Sequence, residues 1–185
     1  VARCFASYGT TIQSAVAGGI MAFGDRMGGL GEQLAKLMST RLRAIAEDPA
    51  EIPEDRLRVE ACAIVAEAHA KGERVPGYGI PLHGMDPRAP KVTGIAKEEG
   101  TFGPFGRLGE LIEEELAARR GGRTVPMNLD GVGAVVVLDL GLDWRTTRMF
   151  LLTPRSVSMG AHYLEEQAQD TTWRHIPADW IDYES

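Results

Sequence analysis

The sequence is poor in cysteine and has no excess of positive charge. Its 185 residues contain two cysteines, Cys4 and Cys62, which cannot form a disulfide scaffold and are typical of a reducing cytosol. Twenty Lys and Arg residues stand against 26 Asp and Glu residues, so the net charge is −6, which argues against a broad electrostatic grip on nucleic acid or anionic lipid. No apolar run approaches the length of about 18 residues that spans a membrane, and no signal peptide is recognisable. These absences predict a cytoplasmic protein without nucleic-acid or membrane partners.

Several common catalytic and metal-binding motifs are also absent. No glycine-rich loop precedes a Lys-Ser or Lys-Thr pair, as a phosphate-binding P-loop requires. There is no Gly-x-Ser-x-Gly nucleophile elbow. Four scattered histidines and two distant cysteines do not have the spacing of a metal site, so no metal is predicted.

The chain does have helical periodicity. After Gly31, apolar residues recur at Leu34, Leu37, Met38, Leu42 and Ile45, which predicts an amphipathic helix. Other patterns predict helices over Thr11–Phe23, from Pro53 to Gly72, near Lys91–Gly100, over Leu108–Arg120, and from Asp143–Trp144 onward, where Pro154 is expected to kink or break the helix. The patterns together indicate a mostly helical protein.

The segment Ala134–Leu140 is ambiguous. Its β-branched content favours a strand. A single strand among helices has no partner, however, so a buried helix is the preferred interpretation.

A loop rich in proline and glycine, Val75–Pro90, interrupts the helical patterns. Its residues Val75-Pro76-Gly77-Tyr78-Gly79, followed by Asp86-Pro87-Arg88-Ala89, resemble the signature loop of the citrate synthase superfamily, including its short citryl-CoA lyase-like members. Three more stretches resemble that family in the same order: Ala15–Met38, Asn128–Gly131 and Arg155–Glu166. The chain is thus similar to a divergent short member, and its start at Val1 is expected to lack the family's leading segment.

The resemblance implies a fold and a chemistry. The fold is all-α, with a large domain from residues 1–28 and 142–185, a small domain from residues 29–141, and a ligand cleft between them. The reaction forms or cleaves a C–C bond next to a coenzyme A thioester, with a keto acid as partner. The cofactor implied is coenzyme A, as acyl-CoA substrate, and the assembly implied is a homodimer.

Roles are carried over position by position. Asp130 would be the base, Arg88 and Arg155 would bind substrate carboxylates, and the backbone of Val75, Pro76, Gly77, Tyr78 and Gly79 would form part of the coenzyme A adenine pocket. Simpler alternatives remain: a helix N-cap for Asp130, a loop salt bridge for Arg88, and a solvated helix face for Arg155.

Two positions depart from the family pattern. Met27 and Ile80 stand where the family has its two catalytic histidines, and neither side chain can donate a hydrogen bond to an enolate or carbonyl. His83, in the same loop as Ile80, is a candidate for part of that role, the alternative being a loop histidine that holds a backbone carbonyl. The sequence therefore supports two hypotheses: an enzyme with altered chemistry, or an inactive relative that binds a coenzyme A ester or a partner subunit.

Overall fold

The protein is almost entirely helical. The computed structural model describes residues 1–80, 84, 86–169 and 173–182. These residues form eight α-helices: α1 (Ala2–Ser7), α2 (Ile12–Met21), α3 (Leu30–Arg43), α4 (Glu54–Ala70), α5 (Arg88–Glu98), α6 (Pro104–Ala118), α7 (Leu129–Asp139) and α8 (Thr147–Ala168). Single turns of 3₁₀ helix lie at Pro49–Glu51, Trp144–Thr146 and Ala178–Trp180. The described part contains no strand; it has an isolated antiparallel bridge between Tyr78 and Met127, and Gly24, Met27 and Gly28 are further bridge residues.

The all-α prediction is therefore confirmed, and so is the helical interpretation of Ala134–Leu140. Most of that segment lies in α7, which has apolar residues on nearly all of its sides. Such a helix is typical of a position buried among other helices. Its side chains Val132, Val135 and Val137 are almost fully buried. Burial among helices thus outweighs the strand preference of the valines.

The described residues divide into two compact units, Val1–Gly24 with Leu152–Ser185, and Asp25–Leu151. The larger unit, Asp25–Leu151, has a core built by α3, α4, α6 and α7. Its fully buried side chains come from the apolar stripes of these helices, namely Leu34, Met38, Leu42, Leu108, Leu111, Ile112, Val132 and Val135. The division of the complete family fold into domains at residues 28 and 142 stays a prediction.

The smaller unit, Val1–Gly24 with the described residues of Leu152–Ser185, has a small core around Ala6, Ala15 and Tyr163. A fully buried carboxylate, Glu166, accepts hydrogen bonds from Arg3 (3.0 Å) and Arg174 (2.7 Å). The two arginines lower the pKa of Glu166 to about 2, the bond from Arg174 being the larger cause. This ionic cluster fastens α1 and the tail after α8 to the last turns of α8.

Two local expectations need correction. Pro154 does not break the last helix, because α8 runs through it from Thr147 to Ala168. That helix also starts later than Asp143–Trp144, since a 3₁₀ turn occupies Trp144–Thr146 and Asp143 caps it by accepting from the Arg145 N–H. Within the described residues, no helix is both long enough and apolar enough to cross a membrane.

Candidate functional site

The loop Val75–Gly79 is bound along its length to the segment that leads into α7. The N–H of Gly79 donates to the carbonyl of Pro126 (2.8 Å), and the N–H of Asn128 donates to the carbonyl of Gly77 (2.9 Å). These two bonds flank the bridge between Tyr78 and Met127. In this type of antiparallel pair, the central residues do not use their own N–H and C=O groups on each other. The loop therefore has a fixed backbone and keeps the N–H and C=O of Tyr78 unused among the described residues.

Glycines allow three backbones to meet at this point. Gly77 has a φ of +84°, and a Cβ there would lie 2.8 Å from the Cα of Gly131. A Cβ on Gly131 would lie 2.3 Å from the carbonyl oxygen of Gly77, and one on Gly31 would lie 2.7 Å from the carbonyl oxygen of Asp130. The N-terminus of α3, the loop and the N-terminus of α7 are thus in direct backbone contact, which no larger residue permits.

Asn128, rather than Asp130, is the N-cap of α7. Its side-chain oxygen accepts from the N–H of Gly131 (3.1 Å), and its Nδ2 donates to the carbonyl of Gly79 (2.8 Å). Asp130 lies in the first turn of the helix. The simple N-cap alternative for Asp130 is therefore wrong.

Arg88 is held by the buried carboxylate of Asp86. Its Nε and Nη2 donate to Asp86 Oδ1 and Oδ2 at 2.9 and 2.8 Å, and its N–H donates to Oδ1 at 3.1 Å. Asp86 is 2% exposed and also accepts from the N–H of Leu129 (3.3 Å). The bond from the Arg88 side chain is the main reason that the pKa of Asp86 falls to about 2. The salt-bridge alternative for Arg88 thus describes a real contact, which ties α5 to the start of α7.

Arg88 and Asp130 are also electrostatically coupled. The pKa of Arg88 is raised chiefly by its hydrogen bond to Asp86, and the negative charge of Asp130 raises it further. The Arg88 side chain remains 57% exposed, and its Nη1 has no partner among the described residues. An exposed guanidinium therefore lies in the field of the Asp130 carboxylate, on the surface of the larger unit.

The side chain of Tyr78 points into the protein. Its hydroxyl donates to the carbonyl of Gly109 on α6 (2.9 Å), and burial, followed by the charge of Glu113, raises its pKa well above the ordinary value. Tyr78 thus anchors the loop to α6 by its side chain. The Tyr78 hydroxyl is therefore buried and already engaged in a hydrogen bond.

A groove of about 660 Å³ lies between α5, α6 and α7, next to this junction. Its apolar floor includes Ala89, Met127 and Val132, and its rim carries Lys97 and Glu113. Glu113 accepts from the N–H of Met127 (3.2 Å), and burial raises its pKa. The described residues contain no group of three or more His, Cys, Asp or Glu side chains placed to hold a metal ion.

Of the remaining predicted residues, the structure describes Arg155, Met27 and Ile80. Arg155 belongs to the smaller unit, where its guanidinium lies 5.6 Å from the ring centre of Phe23, a cation–π contact. Met27 is 66% exposed in the segment before α3, and Ile80 is half-buried after the loop. His83 lies outside the described residues.

Sequence reasoning missed Arg148, in the first turn of α8. Its Nη2 donates to Asp25 Oδ1 (2.8 Å) and to Glu32 Oε1 (3.0 Å). Its Nε is buried and has no acceptor in the part of the chain that the structure describes. No local sequence signal reveals this cluster, because Asp25 and Arg148 are 123 positions apart.

Comparison with known families now identifies the fold. The family profile described as "Citrate synthase, C-terminal domain" matches residues 1–176. The chain belongs to the citrate synthase family. A search of curated protein sequences gave no match.

Several solved structures match the whole chain. The citryl-CoA lyase of Hydrogenobacter thermophilus superimposes with a TM-score of 0.82 and 26% identity, covering 100% of this chain and 68% of that one. The citrate synthase of Thermotoga maritima MSB8 gives 0.72 and 19%, covering 100% and 48%. The ATP citrate lyase of Methanothrix soehngenii, in complex with citrate and coenzyme A, gives 0.71 and 20%, covering 100% and 30%. The citrate synthase-like all-α fold predicted from the signature loop is confirmed.

Proposed function

We propose that the chain contributes to an enzyme that forms or cleaves a C–C bond next to a coenzyme A thioester, by Claisen or aldol chemistry with a keto acid. The observation that carries this proposal is the junction of Val75–Gly79 with α7, where Asp130 and an exposed Arg88 share one electrostatic field. A base beside a carboxylate-binding cation is the pair that such chemistry needs. Family membership and the relatives' named ligands, citrate and coenzyme A, support it.

Asp130 is proposed to remove the proton next to the thioester carbonyl. Its backbone is fixed by the contact with Gly31, and its place in the first turn of α7 fixes the point from which the side chain extends. In the cleavage direction the same carboxyl group returns the proton to carbon. Oriented placement of the base is the main contribution of this helix.

Arg88 is proposed to bind a carboxylate of the keto acid. Because Asp86 occupies its Nε and Nη2, Arg88 offers Nη1 and one remaining hydrogen of Nη2 rather than its full fork. Arg155 is proposed as the second carboxylate ligand, with Phe23 limiting the positions of its guanidinium. His83 is proposed to donate a hydrogen bond to a substrate oxygen.

The loop Val75–Gly79 fits the adenine of coenzyme A. An adenine edge presents one donor beside one acceptor, and the N–H and C=O of Tyr78, which have no hydrogen-bond partner among the described residues, are their complement. The buried phenol of Tyr78 fixes that edge without contacting the ligand. Coenzyme A supplies the thioester that acidifies the neighbouring C–H.

A second candidate function is binding without turnover. Met27 and Ile80 favour it, because neither side chain donates a hydrogen bond at the positions where the family has catalytic histidines. The loss of one such donor lowers a rate by about 10²–10³. The protein would then hold a coenzyme A ester or a partner subunit.

Turnover of citryl-CoA and malyl-CoA, and of acetyl-CoA with oxaloacetate, tests both candidates. We expect Asp130→Asn to lower kcat by at least about 100-fold with little change in coenzyme A affinity. Arg88→Met should raise KM for the acid, and the exposed Asp143→Asn is the control that should match wild type.

Equal turnover by wild type and Asp130→Asn contradicts the enzyme proposal. Binding of coenzyme A in calorimetry without turnover by wild type selects the second candidate. Absence of both binding and turnover rejects the two candidates and leaves a purely structural role as a subunit.

We also propose that the chain acts as a homodimer. Helix α2 carries exposed apolar side chains, Ile12 (40% exposed) and Met21 (82%), that a partner copy would cover. Light scattering should give a mass of twice 20.0 kDa, and a monomer at micromolar concentration would contradict this proposal.

A further inference from the structure

The segment that carries Met27 is held at its first residue by side chains from two helices. Asp25 accepts from Arg148 Nη2 at 2.8 Å through its carboxylate, and from Gln33 Nε2 at 2.9 Å through its carbonyl. The next residues reach α3 through Gly28, whose φ is +82°. The segment 25–29 is therefore tied at Asp25 by these hydrogen bonds, at Met27 and Gly28 by backbone bridges, and at its other end by the start of α3.

Arg148 has an unusual position for a surface ion pair. Its side chain is 24% exposed and that of Glu32 is 25% exposed, whereas the side chain of Asp25 is 80% exposed. One nitrogen, Nη2, binds both carboxylates, while the buried Nε has no acceptor in the described chain. A buried donor without an acceptor is unfavourable, so the packing and the two carboxylates must offset its cost.

The cluster of Arg148, Asp25 and Glu32 connects the beginning and the end of the larger unit. Asp25 is the first residue of the larger unit, and Arg148 lies three residues before the last one, Leu151. The neighbouring Thr147 is buried and, together with the backbone of Asp130, faces the open side of Gly31. The ionic contact thus joins both ends of the unit next to the backbone junction of the candidate site.

We propose that Arg148 is a positioning residue, which clasps Asp25 and Glu32 and thereby holds the Met27 segment in one conformation against the N-terminus of α3. Without the guanidinium, the two carboxylates that now share one nitrogen repel each other, and the more exposed one, Asp25, moves away with its segment. A lysine keeps the charge but offers a single ammonium without the arginine fork, so it restores the clasp in part.

Trypsin provides a direct test, because Arg26 is an exposed cleavage site inside the segment. We expect Arg148→Gln in the full chain to raise the rate of cleavage after Arg26 by about tenfold, the effect of losing a charge-assisted hydrogen bond. Arg148→Lys should give an intermediate rate. Arg145→Gln breaks the exposed pair with Asp143 outside the clasp and should leave the rate unchanged.

Cleavage after Arg119 and Arg120, in the exposed turn that follows α6, separates local from global effects. The proposal requires that the rate after Arg26 rises alone. Parallel rises at all these sites, or an unchanged rate after Arg26, overturn it.

The methyl resonance of Met27 gives a second readout that a merely structural role does not move. In protein labelled at the methionine methyls, Asp25→Asn, which keeps Arg148, should shift and sharpen the Met27 signal as the segment gains freedom. The signals of buried Met38 and Met159 should stay in place. An unchanged Met27 signal refutes the clasp. Neither measurement uses a substrate, so a result that refutes the clasp leaves the proposed function untouched. Likewise, a failure of the proposed function leaves the clasp untouched.

Discussion

Replacing Asp86 with alanine is expected to destabilise the protein by about 2–3 kcal/mol. The Asp86 carboxylate is 2% exposed and accepts four hydrogen bonds, three from Arg88 and one from the N–H of Leu129. Its pKa falls from 3.8 to about 2 in the folded protein. At about 1.4 kcal/mol per pKa unit, that shift alone corresponds to about 2 kcal/mol at neutral pH. A loss of about 2–3 kcal/mol should lower Tm by about 4–12 °C for a chain of this length.

The pH dependence of this effect follows from the sign of the shift. Because folding lowers the pKa of Asp86, its stabilisation is complete above the unfolded value near 4 and disappears as the pH falls through about 2. Urea unfolding of wild type and Asp86→Ala should therefore differ most at pH 7. The difference between the two proteins should shrink between pH 4 and pH 2.

The chain contains a matched control for this experiment. Asp143 accepts three hydrogen bonds from Arg145 with the same Asp-x-Arg spacing, but its side chain is 44% exposed and its contacts lie within the same turn. Asp143→Ala should cost much less, because exposed ion pairs contribute little. Equal costs for the two variants, or a difference between wild type and Asp86→Ala that does not change from pH 7 to pH 2, would refute this reasoning.

Three further substitutions test the packing around α7. Gly131→Ala places a Cβ 2.3 Å from the carbonyl oxygen of Gly77 and should lower the free energy of unfolding by about 2–3 kcal/mol. Gly133→Ala places a Cβ with nothing within 4 Å and should raise the free energy of unfolding by up to about 1 kcal/mol. Urea unfolding measures both variants, and equal effects would contradict the close contact at Gly131. Asp139→Ala removes the acceptor of three N–H groups at the start of α6 and should lower the free energy of unfolding by about 2 kcal/mol in the same assay. A decrease smaller than about 0.5 kcal/mol would contradict this prediction.

The sequence predicts most helices because their burial is periodic. Leu34, Met38 and Leu42 form the buried stripe of α3 as expected, and α7 follows from the lack of a partner for a strand. Helix ends are less predictable. The N-cap of α7 is Asn128, but Asp130, two residues later, is also a residue type that caps helices, so the sequence leaves the choice open. The short helix α1 has too few residues for a periodic signal.

The sequence predicts those parts of the candidate site that lie within one continuous stretch, and it does not predict contacts between distant stretches. The signature loop marks Arg88 and the Val75–Gly79 backbone, but not that Asp86 occupies two nitrogens of Arg88. The Arg148 cluster was not predicted at all. Its members are brought together by the packing of α3 against the 3₁₀ turn Trp144–Thr146, which leads into α8, and the sequence around each of them gives no sign of that contact.

The meeting of Gly31, Gly77 and Gly131 has a consequence for the order of folding. Each belongs to a different stretch of chain, and none offers a side chain that could adapt to a neighbour that is missing or displaced. The three backbones can come together only when stretches far apart in the sequence meet, and forming such non-local contacts is the slow part of folding. The amides of Gly79 and Asn128, bonded across this meeting point, should accordingly exchange with solvent only when the whole larger unit opens, at the rate of its most protected core residues.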